Sequence, residues 1–198
     1  MTRPAPPPAP PPPSSAGRGT VRRVLVAGVG NLFRTDDGFG PEVARQLARH
    51  GGGDPEGVRV TDYGIRGMHL AFDLLDRWDR LILIDLLPSR GQPGTVHVVE
   101  IDGDTAGSEL VGRAAPDPHG MAPHAVLAAV GSLGGRLPPT VLVGCEPADI
   151  GEGLGLTAPV AAAVRPAVEA VLAILDQESS ASERADGGLL PAPTSGGL

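Results

Sequence analysis

No lysine occurs among the 198 residues, so all 16 basic side chains are arginines. A lysine Schiff base, a Ser-Lys pair and the lysine of a Walker phosphate loop are thereby excluded. The one cysteine, Cys145, has no partner for an internal disulfide or for a CxxC metal or redox site, which fits a reducing cytoplasm. Positive charge is also scarce. Against 23 acidic side chains the net charge is −7, and no block of like charge forms a footprint for nucleic acid or an anionic membrane. No stretch approaches the roughly 18 apolar residues of a membrane span, and the N-terminus lacks the apolar core of a signal peptide. The expectation is a soluble, cytoplasmic protein with neither nucleic-acid binding nor membrane insertion.

Proline is plentiful but uneven. Residues 1–20 hold 8 of the 22 prolines, so they read as a solvated, disordered Pro-rich arm, and residues 177–198, rich in Glu, Ser, Gly and Pro, read as a flexible tail. Residues 21–176 remain as a single α/β domain. Within it, VRRVLVAGV (21–29) is an apolar, β-branched strand ending in glycine, and 39–50 has helical spacing with Pro41 in its first turn. A strand at 58–63 precedes a helix at 68–76, whose Met68, Ala71, Phe72 and Leu75 form the expected buried face. LILIDLL (81–87) is a strand, 95–101 a more polar edge strand, 122–133 a helix, 140–144 a strand and 158–175 a helix. The order β-α-β-α-β-β-α-β-α predicts a three-layer α/β/α fold on a mostly parallel, twisted sheet of about five strands. Such sheets bind ligands outside the carboxyl ends of their strands.

Residues at those ends carry the candidate chemistry. The loop after the first strand reads GVGNLFRTDDGFG (28–40), with Phe33 where a dinucleotide fingerprint needs a small residue. Gly28 and Gly30 suit a tight βα turn needing positive φ. Asp36 and Asp37 form an acid pair at the start of a helix, where either one can serve only as an N-cap. Asp85 is a lone carboxylate in LILIDLL, where burial is costly unless it ends the strand beside a partner. His119, in the Pro- and Gly-held loop DPHGM, and His124 in the helix beyond it compete as the imidazole of the set. Two carboxylates and one imidazole on one sheet edge suit a borderline divalent metal. Cys145, in VLVGCEP, reads as a small buried hydrophobe, and no GxSxG elbow occurs.

Taken together, VLVAGVGNLFRTDDGFGPEVA, YGIRGMHLAFDLL, LILIDLL, PHGMAPHAVLAAV, VLVGCEP and GLTAPVAAAVRPAVEAVL resemble the hydrogenase maturation proteases, over about residues 23–175. These are endopeptidases that remove a C-terminal extension from the large-subunit precursor of nickel-iron hydrogenases. The resemblance implies that Asp37, Asp85 and His119 recognise Ni²⁺ brought by the substrate, with catalysis acting through that metal. Gly28, Gly30 and Asn31 then offer backbone N–H groups and an amide to the peptide. The Pro-rich arm departs from the family pattern. Two other readings stand beside it: a non-catalytic nickel-sensing chaperone that uses the same three residues, and a nucleotide-binding domain built on the glycine loop and Asp62.

Overall fold

The computed structural model of the chain describes residues 22–50, 57–101 and 123–186, so the Pro-rich arm and His119 lie outside the described residues. Five strands form one sheet in the order β2-β1-β3-β5-β4: β1 (Val24–Val29), β2 (Val58–Gly64), β3 (Arg80–Leu86), β4 (Val96–Ile101) and β5 (Thr140–Cys145). All neighbours pair in parallel except β4, which runs antiparallel to β5 at the edge. The expected α/β architecture and its polar edge strand are both present.

Strand alternation sends side chains to two cores. Val24, Val26, Ile82, Ile84, Val141, Val143 and Cys145 face α1 (Phe39–His50) and α4 (Ala158–Asp186). Leu25, Ala27, Leu81, Leu83 and Leu142 face the opposite layer, with α2 (Gly67–Asp73) and α3 (Pro123–Ser132). Every residue of β1 and β5 is buried, which explains why those strands read as unbroken apolar runs.

Three expectations need correction. The buried residues of α2 are Gly67, Leu70 and Ala71, with Leu74 just beyond, whereas Met68, Phe72 and Leu75 are exposed. Both stripes have helical spacing, and a polar clamp chooses between them: Tyr63 donates to Asp73 at 2.5 Å, Arg59 pairs with Asp73 at 2.6 Å, and Trp78 donates to the Asp73 carbonyl at 2.8 Å. Helix α4 runs on to Asp186, into the segment expected to be a loose tail. Glu178 anchors that extension by pairing with Arg22 and Arg80. Finally, Ala158–Ser180 is long and apolar enough to cross a membrane. Counting unbroken apolar runs missed it because Arg165 and Glu169 interrupt it. Its Val160, Val164, Ala167, Val168 and Val171 are buried against the sheet, so this face of the helix belongs to the core.

Candidate active site

Strand order reverses between β1 and β3, because β1 connects to β2 on one side and the chain resumes at β3 on the other. That switch point opens a crevice above the carboxyl ends of the two strands. Gly28 of β1 pairs with Ile84, which sets Asp85 one residue further along, at the lip of the crevice. The loop leaving β1 reaches the same place through a 3-10 turn, Thr35–Gly38, which carries Asp36 and Asp37 and touches β3.

Glycine permits this approach. A Cβ at Gly40 would overlap the carbonyl oxygens of Val29 and Ile84, and one at Gly28 would overlap the Gly40 oxygen. The start of α1 therefore presses directly onto β1 and β3. Gly28 is needed for this contact rather than for the positive φ expected of it, whereas Gly30 does adopt φ +134°. Two of the N–H groups expected to hold a peptide are used inside the fold: Gly30 donates to the carbonyl of Gly64 at the end of β2 at 3.1 Å, and Asn31 to the Asp37 carbonyl and carboxylate, each at 3.0 Å. The Asn31 side-chain oxygen accepts from Phe33 N–H at 3.0 Å.

The two adjacent acids have different surroundings. Asp36 is fully buried and accepts from the backbone N–H groups of Ala148 (2.8 Å), Asp149 (2.9 Å) and Thr157 (2.7 Å), and from the Thr157 hydroxyl (3.0 Å). Burial works against its charge, but these donors outweigh burial and hold the carboxyl below its ordinary 3.8. Asp36 thus staples the 148–157 segment to the turn, which replaces the N-cap role expected for one member of the pair: Arg34 stands at the N-cap of the turn, without a side-chain cap, and the Asp36 donors come from far along the chain. Asp37 is only half-buried, and Asn31 N–H fixes its Oδ2. Thr35, at φ +37°, occupies a conformation unfavourable for a β-branched residue and is held there by its hydroxyl bond to the Asp149 carbonyl at 2.7 Å.

Asp85 is 9 % exposed, and its Oδ1 accepts from Leu86 N–H at 2.8 Å. Alternation along β3 turns it to the side of Leu81 and Leu83, the layer in which α3 opens at Pro123. His119 precedes that helix in the sequence. Among the described residues, no three His, Cys, Asp or Glu side chains gather as a metal cluster.

Sequence reasoning passed over Glu146. It is 2 % exposed and receives Arg90 N–H (2.7 Å), Gln92 N–H (3.1 Å) and His97 Nε2 (3.0 Å). The Arg90 N–H is the main cause of a carboxyl held below its ordinary 4.5, against the opposing effect of burial. Glu146 therefore fixes the segment that follows Asp85. The signal was present, since an acid directly after a buried strand requires donors. Cys145 is fully buried, its thiol pushed up to about 12 first by burial and then by the negative charge of Asp36. At neutral pH it is a thiol without nucleophilic character. Asp62 pairs with Arg45 at 3.3 Å, which takes up the acid a nucleotide ribose would need.

The family model for hydrogenase maturation proteases matches residues 41–174. The hydrogenase 2 maturation protease of Escherichia coli is 33% identical, over 77% of this chain and 90% of that protein. The delta subunit of coenzyme F420 hydrogenase from Methanothermobacter thermautotrophicus is 30% identical, over 75% and 92%. In structure, the hydrogenase maturating endopeptidase HybD of Escherichia coli superposes with a TM-score of 0.65 at 31% identity, covering 78% of this chain and 93% of that one. Together with the five-stranded, mostly parallel α/β sheet, these likenesses show that the chain belongs to the hydrogenase maturation protease family.

Proposed function

We propose that this endopeptidase removes the C-terminal extension of a nickel-loaded large-subunit precursor, and that Asp37, Asp85 and His119 read the nickel held by that substrate. The observation that supports this reading is that, at the switch point, a half-buried carboxylate stands on a turn that touches β3, and a second carboxylate stands one residue from the end of that strand. Neither depends on a mobile side-chain stem: Asp37 is fixed by Asn31 N–H and Asp85 by the backbone of β3. His119 enters as the imidazole because it precedes in the sequence α3, a helix of the layer toward which Asp85 turns.

Two carboxylates and one imidazole, with no thiolate, leave much of an octahedral shell open, so this protein alone holds Ni²⁺ weakly. The precursor brings the metal, and the shell is completed only across both proteins. In that position nickel supplies Lewis acidity to the scissile carbonyl or to a water molecule. Asp37 and Asp85 supply the fixed negative charge that orients the metal against the peptide. The Asn31 side-chain N–H₂ remains as the loop's donor to that peptide. We place the reaction in the cytoplasm, in keeping with a chain whose single cysteine permits no internal disulfide.

Mass spectrometry of the precursor's carboxyl terminus tests this. Nickel-loaded precursor loses its extension, whereas metal-free precursor does not, either in chelator or, without chelator, with nickel added to the protease. Asp85→Ala and His119→Ala each lower cleavage at least about 100-fold, the scale of losing one metal ligand or its support. Equal cleavage of metal-free precursor overturns the nickel reading and leaves Asp37 and Asp85 as an acid/base pair. Binding of the loaded precursor without any cut restores the chaperone reading.

A further inference from the structure

Leu154 and Phe33 are the most exposed large apolar side chains among the described residues, at 79 % and 71 %. They stand on two segments tied together by backbone. Arg34 and Gly153 form a parallel bridge, Gly153 N–H donates to the Phe33 carbonyl at 3.0 Å, and Thr35 N–H donates to the Gly153 carbonyl at 3.1 Å. Arg34 Nε bonds the Ile150 carbonyl at 3.2 Å, and beneath them the Asp36 carboxylate holds the same 148–157 segment from inside. Leu32 and Ile150, 40 % and 41 % exposed, extend the apolar surface. A groove of about 480 Å³ adjoins it, lined by Leu32, Leu154, Leu156 and Val164 together with Glu42 and Arg45.

Exposed apolar residues on a loose loop can fold away from water, but these are held in place by a hydrogen-bonded crest that cannot collapse. The crest is continuous with the active site. Leu32 and Phe33 lie between Asn31 and Asp37, and Thr35 and Gly38, on either side of the acid pair, line the groove. Any protein whose chain end reaches Asp37 must cover this surface. A preformed apolar anchor there lowers the ordering cost of docking a folded partner.

We infer that the crest formed by Leu32, Phe33, Ile150 and Leu154 is the docking surface for the large-subunit precursor, covered by an apolar patch of that protein next to its C-terminal extension. This rests on the reading of the chain as the protease of such a precursor. The exposed stripe of Met68, Phe72 and Leu75 on α2 is the alternative face and supplies the control.

The test measures binding and cleavage separately, using nickel-loaded large-subunit precursor and the full-length protein. Binding is measured by calorimetry in an Asp85→Ala background, so that the complex is not consumed. The double change Phe33→Ser with Leu154→Ser weakens Kd at least about 10-fold, since truncating two buried anchors removes hot-spot contacts. In the otherwise unaltered enzyme it lowers kcat/KM by a similar factor, carried by KM. The melting temperature moves by less than about 2 °C, because both side chains are exposed. Phe72→Ser, at a site 55 % exposed on α2, leaves Kd within about 2-fold. An unchanged Kd in the double variant, an equal loss in Phe72→Ser, or no binding of the precursor to either the Asp85→Ala protein or the otherwise unaltered one overturns the docking surface. Binding that depends on Phe33 and Leu154 without any cleavage by the wild-type protein leaves the docking surface standing and overturns the protease reading.

Discussion

Asp36 and Asp37 are neighbours with the same side chain and opposite tasks. Asp36 is fully buried and saturated by four donors, and Asp37 is half-exposed at the crevice. Replacing Asp36 by Asn turns an acceptor into an N–H₂ group facing either Thr157 N–H or the N–H groups of Ala148 and Asp149. We expect Asp36→Asn to lose about 3 kcal/mol of stability, the scale of leaving buried donors unsatisfied beside a former charge. Denaturant titration measures this, with a fall in kcat/KM as the turn carrying Asp37 loosens. The pH dependence has a definite sign. The native carboxyl lies below its ordinary 3.8, so its contribution is complete above that pH and is lost as pH falls through the native value. Wild-type stability therefore drops below about pH 4 more steeply than that of Asp36→Asn. The sequence shows the acid pair but not this division of roles, because the four donors to Asp36 lie more than a hundred residues away in the chain.

At the scale of elements, the most demanding contact is the start of α1 against β1 and β3. We expect Gly40→Ala to destabilise the fold by about 3 kcal/mol, since its Cβ would overlap two backbone oxygens that no side-chain rotation can move aside. The relief available is to lift α1 from the sheet, which withdraws Asp37 from Asp85. Cleavage then falls with stability, and circular dichroism melting together with the precursor assay reads both. A melting temperature equal to that of wild type shows that the helix start can shift without cost. Elements of this kind were legible where one periodicity dominates: β1, β3 and β5 are apolar because both faces are covered, and α1 spans the residues its pattern predicts. Helix α2 was not, because Leu70 and Leu74 compete with Met68 and Phe72 at equal spacing, and only the long-range clamp on Asp73 decides between them. The continuation of α4 was hidden for the same reason. A polar segment reads as a tail unless its partners, here Arg22 and Arg80 for Glu178, are known.

Across the whole molecule, the parallel strands give the protein two poles. Their carboxyl ends carry Asp85, the acid-bearing turn and the apolar crest, and their amino ends carry the ionic network that closes the fold. Glu178 pairs with Arg22 just before β1 and with Arg80 Nε at 3.3 Å, and Arg80 also reaches Glu100 on β4 at 2.6 Å. Arg80 and Glu178 are only 15% and 14% exposed, so they are screened less than surface pairs and join α4 to three strands at once. Glu178→Ala leaves Arg80 with Glu100 alone and frees the end of α4. We expect a loss of about 1–2 kcal/mol, more than an exposed ion pair contributes and less than a fully buried one. Because the network lies a full strand length from the crevice, kcat/KM for nickel-loaded precursor should stay within about 2-fold of wild type below the melting transition. The contrast with Asp36→Asn and Gly40→Ala makes the division testable: all three lower the melting temperature, and only the two at the carboxyl pole lower cleavage in fully folded enzyme. A Glu178→Ala enzyme that stays folded but cleaves 10-fold more slowly would show that the poles are coupled through β3, whose first residue is Arg80 and whose crevice end is Asp85.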